Sequence, residues 1–118
     1  MSQGDIRLKR AYDAPADNDG KRILVDGMWP RGVKKEDADI DEWLKDLAPS
    51  KELRQWFGHD ADKWEEFKKR YKEELKDHSD AMKTLRDYHK DGRVTLVFAA
   101  KDEKHNNAVV LKEVLQKG

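Results

Sequence analysis

The fold is decided by the stretch Arg22-Ile23-Leu24-Val25-Asp26-Gly27-Met28-Trp29-Pro30-Arg31-Gly32. Its uninterrupted Ile-Leu-Val run predicts a β-strand that is buried on both faces. The run stops on the carboxylate of Asp26 and continues into a turn rich in Gly and Pro. Loops that follow strands in this way are where α/β proteins commonly bind ligands. We therefore expect an α/β domain with a ligand site at the end of this strand.

Composition limits the classes of protein that the chain can belong to. Its 118 residues predict a single domain, 1–118. The 25 basic residues balance the 25 acidic ones, which argues against a general nucleic-acid binder but leaves a local basic site open. The absence of cysteine excludes disulfides and thiolate chemistry. No apolar run of membrane-spanning length and no signal-peptide pattern occurs, so we expect a cytoplasmic protein.

The order of apolar patterns predicts a small, mainly parallel sheet of about three strands covered by four to five helices. The predicted strands are Ile6–Tyr12, Lys21–Asp26 and Arg93–Ala100. The predicted helices run from Asp37 or Asp39 to Leu47, from Ser50 to Phe57, from Asp60 past Leu75, from Ser79 to Lys90 and from Ala108 to Gln116.

The connections predict how the strands are oriented. The first two strands are separated only by residues 13–20, an acidic segment of turn residues that we expect to be a mobile surface loop. A connection this short favours an antiparallel pair, because a parallel crossover needs a dozen or more residues. The helices between the second and third strands instead predict a parallel, right-handed crossover.

The ends of these two parallel strands predict a shared site. Asp26 ends one strand, Lys101 and Asp102 follow the other, and the last helix starts just beyond, where its N-terminus favours an anion. The predicted ligand-binding residues are Trp29, Arg31, Arg54, Trp56, Lys101, Asp102 and Asn106, and the candidate catalytic residues are His59, His105 and Asp26. Asp26 is equally interpretable as a structural partner of Arg22 or Arg31, the two tryptophans as core, and the histidines as helix caps.

The chemistry at this site is left open by the sequence. No metal-ligand spacing and no phosphate-binding or nucleophile motif occurs, so we expect neither a metal nor a cofactor. One hypothesis is a small anionic ligand bound at the carboxyl edge of the sheet, with or without a hydrolase or transferase reaction that uses His59 or His105 as acid–base. The alternative is a non-catalytic module that binds nucleic acid or protein through the loop 29–35. The oligomeric state is not predicted.

Several short motifs resemble one family. They are Ile23-Leu24-Val25-Asp26, Trp29-Pro30-Arg31-Gly32, Asp41-Glu42-Trp43, Leu47-Ala48-Pro49-Ser50, Trp56-Phe57-Gly58-His59-Asp60 and Ala99-Ala100-Lys101-Asp102 followed by His105-Asn106. In order and spacing they are similar to the YeaO-like family, known as domain of unknown function 488. The resemblance implies an α/β domain of this size, without an established activity, substrate or cofactor, and a parallel sheet from the first strand on. Two positions depart from the family pattern: Gly27 stands where arginine is usual, and Asn107 where histidine is usual.

Overall fold

The computed structural model describes residues 5–58 and 60–117, which form one four-stranded sheet and five α-helices. The strands are β1 (Ile6–Arg10), β2 (Lys21–Leu24), β3 (Glu42–Trp43) and β4 (Val94–Phe98). The helices are α1 (Lys35–Ala38), α2 (Lys51–Phe57), α3 (Trp64–Leu75), α4 (Ser79–Asp91) and α5 (Asn107–Lys117). The predicted α/β class is confirmed. None of the helices in these ranges combines the length and the apolarity that a membrane span requires.

All pairings in the sheet are parallel, in the order β1-β4-β2-β3. The prediction that the first two strands form an antiparallel pair is wrong, because β4 lies between them: Leu96 is opposite Leu8 on one side and Ile23 on the other. The connection from the end of β1 to the start of β2 contains only a short 3₁₀ turn, Asp17–Asp19, and no α-helix. Gly20 makes this connection possible, since a Cβ there would lie 2.2 Å from the carbonyl oxygen of Arg93.

The prediction of a helix from Asp37 or Asp39 to Leu47 is also wrong. Helix α1 ends at Ala38, and Asp39 adopts a left-handed conformation with φ 51°. The backbone N–H of Arg22 donates to Asp41 Oδ2 at 2.8 Å, which holds the following segment against the edge of β2. There Glu42 and Trp43 pair with β2 as a short parallel strand. A helical apolar spacing was therefore overridden by strand pairing.

The helices pack their apolar residues against one face of the sheet. That face carries Ile23 from β2, Val25 directly after it, and Val94, Leu96 and Phe98 from β4, as the two-residue period of a strand requires. The helices contribute Leu53, Phe57, Phe67, Tyr71, Leu75, Met82, Leu85, Ala108, Val110, Leu111 and Leu115 to the same core. On α3 the buried residues Phe67, Tyr71 and Leu75 are spaced by four residues, as one inward face of a helix requires.

The opposite face of the sheet is covered by a loop instead of a long helix. Leu24 and Val97 from this face pack with Ala11 and with the half-buried side chains of Trp29, Ile40 and Trp43. The rings of Trp29 and Trp43 meet edge to face with centroids 5.6 Å apart. The segment that carries Trp29 is therefore fixed on the sheet by its own aromatic contacts.

Beside this aromatic group lies a buried ionic group, which we call the Asp19 network: Lys9, Asp19, Arg22 and Thr95. Arg22 and Asp19 are only 2% and 1% exposed, and Arg22 Nη1 lies 2.6 Å from Asp19 Oδ2. Lys9 Nζ lies 3.0 Å from Asp19 Oδ1, and Thr95 Oγ1 donates to the carbonyl oxygen of Asp19 at 2.7 Å. Residues 13–20, predicted as a mobile surface loop, are thus exposed except for Asp19; their mobility stays a prediction.

Candidate functional site

A cleft of about 470 Å³ lies where the strands end at the carboxyl edge of the sheet. Because the sheet is parallel, the segments that follow β1, β2 and β4 all meet at this edge. The carboxyl-edge cleft is lined by Tyr12, Asp26, Gly27, Met28, Trp29, Pro30, Arg31, Ala48, Pro49, Arg54, Phe57, Phe67, Ala99, Ala100, His105, Asn106 and Asn107. Its volume is within the range of small-molecule sites, about 300–1,000 Å³.

Asp26 contributes a carboxylate that is held in a fixed position by the neighbouring strand and helix. The backbone N–H of Ala99 donates to Asp26 Oδ2 at 2.8 Å, and the side-chain amide of Asn107 lies 3.3 Å from Oδ1. Burial raises the pKa of the Asp26 carboxyl above its usual value, although these two hydrogen bonds and the charge of Arg54 act in the opposite direction. Asp26 therefore joins β2, β4 and α5 while lining the cleft.

His105 lines the cleft with its ring oriented by Asp102. His105 Nδ1 lies 2.9 Å from Asp102 Oδ2, and the ring meets Trp64 edge to face at a centroid distance of 5.2 Å. The backbone N–H of Lys104 and the His105 ring hold the pKa of Asp102 below its usual value. An ionised carboxylate only accepts hydrogen bonds, so Nδ1 of His105 is the donor, and Nε2 is an acceptor in the neutral ring.

The first residues of α5 close the inner end of the cleft. Asn106 is the helix N-cap: its Oδ1 accepts from the backbone N–H of Val109 at 3.1 Å, and its Nδ2 donates to the carbonyl oxygen of Asp102 at 2.9 Å. The side-chain amide of Asn107 also donates to the carbonyl oxygen of Val25 at 3.0 Å. Both asparagines therefore hold α5 against the strand ends, as well as lining the cleft.

Tyr71 supports the site from the core. Its side chain is fully buried, and its hydroxyl donates to the carbonyl oxygen of Leu47. Burial raises the pKa of Tyr71 well above its usual value, and the nearby charge of Asp26 raises it further. The hydroxyl thus keeps its hydrogen at neutral pH, and its bond to Leu47 holds the segment that leads into Ala48 and Pro49.

The mouth of the cleft carries exposed cations beside apolar side chains. Arg31 and Arg54 are both exposed, and Met28 is 71% exposed. Tyr12 donates its hydroxyl hydrogen to the carbonyl oxygen of Arg31 at 3.2 Å, which fixes the backbone of that loop. The guanidinium groups at the mouth are therefore accessible, while the backbone that carries Arg31 is anchored.

Trp29 forms one wall with a restricted orientation. Its Nε1 donates to the carbonyl oxygen of Val33 at 2.7 Å, and its ring packs on Trp43. Gly27 lies beside it; a Cβ at this position would lie 3.4 Å from Ala48 Cβ, at the near limit of van der Waals contact. The backbone of Gly27 therefore does not require glycine, and the missing side chain leaves the cleft wider.

The cleft gathers six of the ten predicted site residues: Asp26, Trp29, Arg31, Arg54, His105 and Asn106. Trp56, Lys101 and Asp102 are not among the lining residues. The Trp56 ring lies 4.1 Å from the guanidinium carbon of Arg70, whereas Lys101 is exposed and Asp102 acts through His105. His59, a predicted catalytic residue, lies outside the residues that the structure describes.

Several lining residues were not predicted. Phe57 and Phe67 belong to the core and also line the cleft. Tyr12 follows β1, and only a parallel first strand brings it to the carboxyl edge. The parallel sheet implied by the family resemblance was the available signal for Tyr12.

Residues 5–58 and 60–117 offer no cluster of metal ligands. Within these ranges no group of three or more His, Cys, Asp or Glu side chains is arranged to hold a metal ion.

A parallel sheet that ends in a cleft with cationic and acceptor side chains defines a small α/β domain with a ligand-type pocket. The chain belongs to the DUF488-N3i family, described as "Inactive DUF488-N3 subclade", whose model matches residues 5–118. The predicted YeaO-like resemblance is confirmed. The chain is 42% identical over 112 residues to "Uncharacterized protein YeaO" of Escherichia coli, covering 95% of this chain and 97% of that protein.

Mycobacterial relatives give the same result. The chain is 42% identical over 110 residues to "Uncharacterized protein Rv3073c" of Mycobacterium tuberculosis, covering 93% of this chain and 92% of that protein. "Uncharacterized protein Mb3100c" of Mycobacterium bovis matches with the same identity and coverage. No solved structure matches at a significant level. What the comparisons establish is the family.

Proposed function

We propose that the protein binds a small anionic ligand in the carboxyl-edge cleft and does not convert it chemically. One observation carries the proposal: two exposed guanidinium groups, Arg31 and Arg54, lie at the mouth of a cleft that also contains His105. Guanidinium groups recognise carboxylates and phosphates through paired hydrogen bonds. The word "inactive" in the description of the family model supports binding without turnover.

A hydrolase or transferase is the second candidate, and the His105–Asp102 pair supports it. A histidine whose Nδ1 is held by a carboxylate is the arrangement that general bases commonly use. Cysteine does not occur in the chain, so a thiolate nucleophile is excluded. Asn107 donates its amide to Asp26 and Val25, and asparagine does not titrate. The Asp26 carboxyl in the same cleft as His105 is already hydrogen-bonded to the Ala99 backbone and the Asn107 side chain, so we favour binding over a reaction.

The alternative of a nucleic-acid or protein module receives less support. Arg31, Lys34 and Lys35 are exposed, as such a surface would need. Trp29, however, is half-buried, bonded to the carbonyl oxygen of Val33 and packed on Trp43. An aromatic residue that stacks bases of a single strand must offer a free ring face outward. The aromatic part of this loop is thus better suited to form a pocket wall.

The proposal is tested by thermal unfolding in phosphate or sulfate, with sodium chloride at equal ionic strength as reference. We expect phosphate to raise the Tm of the parent, because a ligand that binds only the folded state stabilises it. Arg31→Ala and Arg54→Ala should each lose most of this shift. Lys101→Ala is the matched control, since Lys101 is an exposed cation that does not line the cleft. Equal shifts in the parent and both arginine variants would refute the proposal.

A further inference from the structure

The carboxyl-edge cleft carries acceptors on half-buried side chains and donors on exposed ones. The acceptors are Asp26, whose oxygens each accept one bond and have a further lone pair, and Nε2 of His105 in the neutral ring. The donors are the exposed guanidinium groups of Arg31 and Arg54. A ligand that uses both sets must carry N–H groups at one end and an anionic group at the other.

A bare inorganic anion cannot satisfy this arrangement. It pairs with the guanidinium groups at the mouth, but the Asp26 carboxylate repels it from the interior. A cation or a simple amine has the opposite difficulty, because the guanidinium groups repel it at the mouth. The best complement is therefore an amphoteric molecule that enters with its N–H end first.

The walls between the two ends are apolar and aromatic. Trp29, Phe57 and Phe67 line the cleft together with Pro30 and Pro49. Phe57 and Phe67 are stacked with ring centroids 4.4 Å apart and are held rigidly in the core. Because Phe57 and Phe67 are 4% and 2% exposed, a ligand meets only small, fixed parts of their rings, and apolar, rigid walls of this kind favour a ring over a flexible polar chain.

We propose that the ligand of the cleft is a nucleoside monophosphate whose base carries an exocyclic amino group. The base lies against the aromatic walls and donates its N–H groups to Asp26 and His105, and the phosphate lies between Arg31 and Arg54. This inference rests on the proposed function and specifies its ligand. Carboxylates accept from the amino group of cytosine in the same way when proteins read bases.

The test is isothermal titration calorimetry of the full chain with two matched pairs of ligands. CMP carries an exocyclic amino group where UMP has a carbonyl oxygen. GMP carries an exocyclic amino group that IMP lacks. We expect CMP to bind at least about tenfold more tightly than UMP, and GMP more tightly than IMP, because the missing donor leaves Asp26 facing an acceptor or no group. Guanosine and ribose 5-phosphate should each bind more weakly than GMP.

Two variants distinguish the role of Asp26 in ligand binding from that of Arg54. Asp26→Asn offers both a donor and an acceptor, so the ratio between CMP and UMP should fall below about threefold. Arg54→Ala should weaken all four nucleotides by a similar factor and leave both ratios unchanged. If Asp26→Asn fails to fold, the paired ligands on the unaltered chain and on Arg54→Ala still decide the outcome.

The results also distinguish this inference from the proposed function. If ribose 5-phosphate binds as tightly as GMP, and Arg54→Ala weakens both, the nucleotide inference is wrong while anion binding stands. If guanosine binds as tightly as GMP and the arginine variants change nothing, the anion proposal is wrong and this inference fails with it. Equal binding within both pairs refutes the role of the amino group.

Discussion

Two buried carboxylates show how differently one residue type is used in this molecule. Asp19 accepts from Lys9, Arg22 and the backbone N–H of Ala16, is 1% exposed, and does not line the carboxyl-edge cleft. Although burial alone would raise it, these donors lower the pKa of Asp19. Asp26 has two donors, lines the carboxyl-edge cleft, and has a pKa raised by burial. A carboxylate surrounded by donors stabilises the fold; one with few donors beside an open volume is available to a ligand.

The largest expected effect comes from breaking the Asp19 network. Arg22→Ala should lower the free energy of unfolding by about 3–5 kcal/mol, because it leaves the buried carboxylate of Asp19 without its closest partner. It also removes the donors to the carbonyl oxygen of Ala38. Urea denaturation measures the change. Glu73→Ala is the control, since its pair with Lys76 is exposed and contributes at most about 1 kcal/mol. Similar losses of stability in Arg22→Ala and Glu73→Ala would mean that the Asp19 network stabilises the fold no more than an exposed ion pair does.

The Tyr71 hydroxyl beneath the cleft should contribute less to the free energy of unfolding than Arg22 does. Tyr71→Phe should lower the free energy of unfolding by about 1–3 kcal/mol, because the carbonyl oxygen of Leu47 loses its buried donor. Tyr88→Phe is a matched control: its hydroxyl donates to Glu42 Oε2 at 2.9 Å in a half-buried position, so its loss should be smaller. Urea denaturation of both variants gives the comparison. A larger loss for Tyr88→Phe would contradict the assigned role of Tyr71.

The two carboxylates should also respond to pH in opposite directions. The lowered pKa of Asp19 means that its contribution to stability is present above the usual value of 3.8 and is lost as pH falls through the folded-state pKa. The raised pKa of Asp26 means that its contribution is present below 3.8 and is lost as pH rises through the folded-state pKa.

Urea unfolding of the parent, Asp19→Asn and Asp26→Asn from pH 3 to pH 7 checks these signs. The stability that the parent gains over Asp19→Asn should grow with rising pH. The corresponding difference for Asp26→Asn should shrink. Slopes of the same sign would mean that the two carboxylates do not differ as their surroundings imply.

The smallest effect on stability is expected at the mouth of the cleft. Arg54→Ala should change the free energy of unfolding by less than about 0.5 kcal/mol, because Arg54 is exposed and helix α2 tolerates alanine. Urea denaturation in the absence of ligand measures it. A loss above about 1 kcal/mol would mean that Arg54 has a structural role, and the contrast with the Asp19 network would then be weaker.

Local patterns predicted much of the fold. The Ile23–Val25 run and the helix predicted from Ser50 depend on neighbours within a few residues. Ser50 Oγ, for example, caps α2 by accepting from the backbone N–H of Leu53 at 3.1 Å. The order of the strands in the sheet depends on distant residues instead, because β4 pairs with β1 across more than eighty residues. The segment around Trp43 was misread for the same reason: its spacing suits a helix, and only β2 makes it a strand.

The candidate site was predicted in location and only partly in its members. Asp26 and Arg31 follow from a strand that ends in a polar turn, which the sequence displays. The pairing of His105 with Asp102 depends on how the loop folds back before α5. The Asp19 network was missed altogether, since Asp19 stands in an acidic turn segment that reads as solvated surface and Arg22 belongs to the same apolar strand as Ile23.

The central position of β4 has a consequence for synthesis on the ribosome. About 70 residues separate Leu24 from Val94, and at about 5–20 residues per second their translation takes roughly 4–14 seconds. Strand β3 pairs with one edge of β2 soon after both are made, but β1 and the other edge of β2 pair only with β4 and stay open for this interval. Helices α2, α3 and α4 are made meanwhile, before the sheet that they cover exists. A nascent chain that ends before Val94 therefore lacks both the sheet and the cleft.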